Sequence, residues 1–149
     1  MILRTVEASD GDALHAIFCE PGVTEFLFDG TAPSRADTQG HVEAALTHPA
    51  WTIVVEGVVA GLVSLRPAGG ADHELIIVIA LCQWGKGLAL QASQEAMRHG
   101  FETLKLPRIL ATVDEPNQRS HRLMVRLGFH PIGEGPGPKF RQCFYIATP

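Results

Sequence analysis

"LIIVIALCQWGKGLALQAS", Leu75 to Ser93, is the stretch that decides the fold. Its first seven residues, Leu75 to Leu81, are apolar without a break and rich in β-branched side chains, which reads as a buried strand. From Leu88 the pattern changes. Leu88, Ala92 and Ala96 recur every fourth residue, and Met97, Phe101 and Leu104 continue one apolar face of a helix running to about Leu104. Between the two lie Gly85 and Gly87, either of which opens the helix. A helix entered directly from a strand exposes several unpaired N–H groups, and its dipole adds partial positive charge there. Without Cβ atoms, the glycines let an anion come close to the backbone, and a pyrophosphate suits such a bend. A tight turn with no ligand accounts for them equally well at this point.

Working outward, "ILRTVEA" alternates as a first strand, and Ser9 or Asp10 caps a helix carrying Leu14, Ile17 and Phe18. "EPGVTEFLFDGTAPS" reads as a loop, after which Ser34 caps a second helix that stops before Pro49. "WTIVVEG" and "VVAGLVSLRP" form an antiparallel hairpin turning near Glu56-Gly57, and "PAGGAD" leads into a strand from about His73 to Leu81. Beyond the long helix, "RILATVD" is a strand and "EPNQRSHRLMVRLGF" a helix stopping at Gly128. The tail gives two strands around a Gly/Pro-rich loop. The order β-α-α-β-β-β-α-β-α-β-β predicts an α/β (α+β) fold, one mixed sheet of about seven strands flanked by about four helices.

The 149 residues suit one domain, 1–149, and 46% hydrophobic with 19% charged residues describes a globular protein. No apolar run reaches the roughly 20 residues of a membrane span, and the N-terminus lacks the pattern of a secretory signal. A net charge of -4 argues against broad nucleic-acid binding. Cys19, Cys82 and Cys143 are odd in number, widely spaced and without a C-x-x-C pair, so neither a zinc site nor a disulfide framework is expected, and a cytoplasmic setting is the simplest reading. The scattered histidines show no metal-ligand spacing.

Two phosphate loops are excluded. In a P-loop, Ser or Thr follows the lysine, but Gly87 follows Lys86. In a dinucleotide fingerprint a third glycine stands where Leu90 is, and the turn follows the first strand of a parallel unit. "QWGKGLA", Gln83 to Ala89, instead resembles the R/Q-x-x-G-x-G/A acetyl-CoA motif of the GNAT N-acetyltransferase superfamily, with Gly87 and Ala89 at its last two positions. Trp84 in place of the leading Arg or Gln is typical of the ribosomal-protein N-acetyltransferase (RimJ/RimL-like) branch. "DEPNQRSHRLMVRLGF" resembles that branch's N-x-x-S block and its helix ending in L-G-F.

The resemblance implies a mostly antiparallel sheet whose fourth strand splays from the fifth, with pantetheine in the gap. Backbone groups of Ile79 and Leu81 then contact pantetheine, and the amides of Trp84, Gly85, Lys86, Gly87, Leu88 and Ala89 receive the pyrophosphate. Asn117 matches a residue that bonds the pantetheine arm, with helix capping as its other reading. Ser120 lies one turn further along the same helix. Dimerisation through strand edges is also implied, with no metal, nucleic acid or membrane among the partners.

Acetyl transfer needs a neutral amine, an oxyanion donor and a leaving thiolate. An α-amine has a pKa of about 7.7–8.0, against about 10.4 for lysine, so a lysine acceptor asks more of a base. Glu74 is the first candidate, directly or through water; a plain edge charge is its other reading. His73 is also chemically suited, but neighbouring strand positions face opposite ways, so at most one of the two lines the cleft directly. A backbone N–H near Ile79 or Ala80 is placed to serve the tetrahedral oxyanion. Many relatives carry an acid Tyr where Met124 stands; the RimJ/RimL-like pattern suggests Ser120 in its place, as a cofactor contact first and a proton donor, directly or through water, second. Tyr145 reads as packing. The resemblance therefore implies acetyl transfer from acetyl-CoA, in a ternary complex, to a protein N-terminal α-amine or a small-molecule amine. The alternative is a non-catalytic acyl-CoA-binding module of the same fold.

Overall fold

The computed structural model describes residues 1–149. Its strands are β1 (Ile2–Thr5), β2 (Ala50–Val55), β3 (Val58–Pro67), β4 (His73–Ile79), β5 (Ile109–Asp114), β6 (His130–Gly135) and β7 (Gln142–Ala147). Its helices are α1 (Gly11–Phe18), α2 (Pro21–Thr24), α3 (Arg35–Ala45), α4 (Leu88–Arg98) and α5 (Gln118–Leu127). The expected order holds with one helix more. The one-turn α2 forms inside the stretch expected to be loop, with Pro21 at its first position, where a missing N–H leaves no bond unmade.

The seven strands lie in one sheet, β1-β2-β3-β4-β5-β7-β6, in which every pairing is antiparallel except β4 with β5. Glu56 and Gly57 turn the β2–β3 hairpin with φ of 51° and 78°, the two-residue turn whose twist matches the strands. Alternation along β4 divides the core. Leu75 and Ile79 belong to a cluster of 17 buried residues beneath α4 and α5, while Val78 belongs to a second cluster of 11 beneath α1, α2 and α3.

The β4–β5 pairing lasts only two residues, His73↔Ile109 and Glu74↔Leu110. Beyond it β4 stays bonded to β3 through Ile79, and β5 stays bonded to β7 through Asp114. The two strands therefore diverge, giving the expected splay.

Several local expectations change. The cap at Ser9 or Asp10 is not made. A 3-10 turn over Ala8–Asp10 precedes α1, and the Asp10 carboxylate instead accepts from Arg4, the Glu7 N–H and the Thr52 hydroxyl. Ser34 does cap α3, accepting from the Asp37 N–H, while the Asp37 side chain accepts from the Ser34 N–H. Another 3-10 turn, Leu81–Gln83, separates β4 from the glycines, and the long helix ends as a π turn over His99–Thr103. Gly100 lets that turn lie on Leu65, Leu106 and Ile109, leaving no room for a Cβ.

Candidate functional site

Gly85 and Gly87 both hold positive φ, 77° and 78°, and a Cβ on either would meet nothing within 4 Å. They face open space, so their conformation rather than crowding selects glycine. Gly87 is the N-cap of α4, and the first helical bond runs from the Gln91 N–H to the Gly87 carbonyl at 3.1 Å. The six amides from Gly85 to Leu90 therefore have no acceptor within the chain. Six free donors at the dipole's positive end suit a diphosphate. Trp84 contributes no amide, because its N–H already donates to the Leu81 carbonyl at 3.1 Å. The Lys86 ammonium donates to Gln83 Oε1.

The gap between β4 and β5 begins just before this bend. The Ala80 N–H donates to the Ala60 carbonyl at 2.8 Å, so by alternation Ile77 and Ile79 aim their backbone groups into the gap. Ala80 is thereby removed as an oxyanion donor, leaving the Ile79 N–H. The Ile79 carbonyl accepts from the Trp84 indole N–H at 2.9 Å. The Leu81 N–H donates to Glu20 Oε2 at 3.1 Å, so it reaches a side chain of this chain rather than standing free. Trp84 packs against both core clusters, and the Arg119 guanidinium lies 3.8 Å from its ring centre.

Across the gap, Asn117 caps α5. Its Oδ1 accepts from the Ser120 N–H at 3.2 Å, and its Nδ2 donates to Ser120 Oγ at 3.0 Å. The Ser120 hydroxyl proton is left free to donate. Met124 is buried in the larger cluster. Tyr145 donates to His121 Nδ1 at 2.6 Å, and His121 Nε2 bonds the Glu115 carbonyl at 2.9 Å, a clasp fastening α5 to β7. Burial pushes the Tyr145 phenol up from its usual value.

Glu74 stands at the apex of the splay, in the last paired position. Arg66, directly opposite on β3, donates from Nη2 to Glu74 Oε2 at 2.6 Å, while Oε1 has no partner in the chain. Burial lowers the His41 and His48 imidazoles from their usual value, with Asp37 opposing it at His41 and Arg66 adding to it at both. His41 stacks on Phe28 at 4.0 Å and lines a cavity of about 550 Å³ with Asp29 and Asp37. Arg66, Glu20 and His121 escaped the sequence reading. Only Arg66 left a signal there: counting back from the "PAGGAD" turn pairs it with Glu74.

The acetyltransferase (GNAT) domain family matches residues 1–130. The chain belongs to that family. It is 34% identical over 137 residues to the spermidine N(1)-acetyltransferase of Escherichia coli, covering 89% of this chain and 74% of that protein. Among solved structures, a GNAT-family acetyltransferase from Bacillus anthracis superposes with a TM-score of 0.86 at 22% identity, over 98% of this chain and 93% of that one. The ribosomal-protein α-N-acetyltransferase RimL, solved with coenzyme A, gives 0.83 at 20% identity, over 98% and 92%. The chain is thus a GNAT acyltransferase with neighbours of differing acceptors, and fold alone does not choose among them.

Proposed function

We propose that this chain transfers the acetyl group of acetyl-CoA to a primary amine, either a protein N-terminal α-amine or a small-molecule amine, within a ternary complex. The observation that carries the reading is the run of six unpaired amides, Gly85 to Leu90, at the open end of the β4–β5 gap. In this reading those amides hold the diphosphate, the Ile79 edge and Asn117 flank the pantetheine arm, and the donor supplies an activated thioester carbonyl. The "WGKGLA" block supports a RimJ/RimL-like cofactor site. The spermidine relative supports a small amine as acceptor.

The chain's own groups then divide the work. Glu74, through its free Oε1 or a water, takes the proton that the amine gives up. Arg66 keeps that carboxylate oriented. As the N–C bond forms and the C–S bond breaks, the Ile79 N–H faces the carbonyl oxygen, and Ser120 donates a hydrogen bond to the departing thiolate, which takes up from solvent the proton that Glu74 passes there. A thiol of pKa about 8.5 is a fair leaving group, so the buried Met124 is tolerable in place of a stronger acid.

Free-thiol release from acetyl-CoA with a panel of amines and N-terminal peptides tests the reading. Glu74→Gln is expected to lower kcat by about a hundredfold, the scale of general-base help, and most at low pH. Near-normal turnover of that variant at low pH would remove Glu74 from the mechanism.

A further inference from the structure

The gap between β4 and β5 is enclosed by a ring of contacts, and we infer that the acceptor is an unbranched primary alkylamine threaded through it. Resting on the acetyl-transfer reading above, the inference narrows its acceptor class. The ring starts at the apex, Glu74↔Leu110, and follows β5 and its ladder with β7 to Asp114↔Gln142. The Glu115 N–H, bonded to the Arg141 carbonyl at 2.8 Å, carries it to the loop between β6 and β7. From there Phe140 meets Phe26, ring centres 5.5 Å apart, and Lys139 lies on Gly30 so closely that a Cβ there would stand 2.5 Å from its Cδ. The chain then returns through α2 to Glu20, whose carboxylate holds the Leu81 N–H at the end of β4. Gly22 packs on Leu81 and Trp84 beside that bond.

No segment of this circuit is open. Its far side joins two loops that would otherwise stand apart, so an acceptor reaches the gap through the ring and not between the loops. An amine on an unbranched carbon chain presents the smallest cross-section to such an opening. A peptide N-terminus other than glycine carries a branch at the carbon beside nitrogen. Carboxylates of Glu20, Glu25 and Asp29 belong to the segment forming one arc of the ring, with Lys139 on the facing loop. The acidic excess suits a cationic chain behind the reacting amine. Such an amine, with a pKa near 10.4, also needs the base that the apex supplies.

The test compares n-butylamine with sec-butylamine, alongside 1,4-diaminobutane and an alanine-led tetrapeptide, by thiol release. The wild-type protein is expected to favour n-butylamine over sec-butylamine about tenfold or more in kcat/KM, the scale set by one misplaced methyl group in a tight passage. Phe140→Ala or Phe26→Ala is expected to bring that ratio to within about threefold by raising the branched amine's kcat/KM. Phe140→Leu, which keeps the contact apolar, serves should the alanine variants lose cooperative unfolding. Equal use of the two amines by the wild-type protein, or an unchanged ratio in folded variants, would overturn the ring's role. If no amine is acetylated, acetyl transfer itself fails. Calorimetric affinities of the two amines for the coenzyme A complex then decide the ring: a linear preference relaxed in Phe140→Ala sustains it, and equal affinities reject it.

Discussion

Asp10 is 3% exposed and ionised, and its surroundings explain how a carboxylate survives there. The Arg4 guanidinium holds its pKa down to about 2, the Glu7 N–H and Thr52 hydroxyl act in the same direction, and burial opposes them. A carboxyl depressed on folding stabilises above its unfolded pKa of about 4, and the effect is lost as pH falls through about 2. Asp10→Asn is therefore expected to lose about 2 kcal/mol at pH 7 by urea denaturation, the gap to wild type narrowing as pH drops from 5 towards 2. An equal gap at pH 7 and pH 2 would show that the charge is immaterial. Sequence reading noticed Asp10 for the wrong reason. A helix-start signal cannot reveal that Arg4, six residues back, and Thr52, forty-two ahead, compete for the same oxygens. Glu74 was visible as a strand-start acid, but its guanidinium partner comes only from register. Asn117 carried two compatible readings, and its capping bonds are the part that geometry displays.

At the scale of elements, β4 must follow β3 closely so that it can leave β5. Gly61 makes that approach possible, because a Cβ there would lie against the Val78 carbonyl oxygen. It also faces Ile53, where the β2–β3 register shifts. Gly61→Ala is expected to destabilise the fold by about 2 kcal/mol, the usual range for forcing atoms into a packed site. A denaturation midpoint unchanged from wild type would mean that the strands part without strain. Apolar patterning located the first five strands and the four longer helices, while β6, exposed along almost its whole length, was legible only as one of two strands around the Gly/Pro-rich tail loop. Patterning missed α2 because one turn has no period to display. It missed the 3-10 turn over Leu81–Gln83 because the apolar run of β4 continues into it. The π turn likewise preserved the apolar spacing that extends the helix to Leu104.

Over the whole molecule, the sheet order and the single parallel pair turn a strand's end into a cleft. Element order read from the sequence is compatible with several sheets. The splay was predictable only through the resemblance carried by "WGKGLA" and "NQRS", since no local pattern says that a strand will abandon its neighbour after two residues. The ring through Phe26 and Phe140 was invisible for a related reason, as loop-to-loop contacts leave no periodic trace. No helix is long and apolar enough to cross a membrane. Cofactor holding at the Gly85–Leu90 bend underlies both the proposed reaction and the acceptor passage. Calorimetric titration with coenzyme A and, separately, with pantetheine tests it most directly. Saturable one-site binding of coenzyme A is expected, with pantetheine weaker by about a hundredfold or more because it brings no diphosphate to the free amides. Pantetheine binding as tightly as coenzyme A, or no binding of coenzyme A to folded protein, would contradict it.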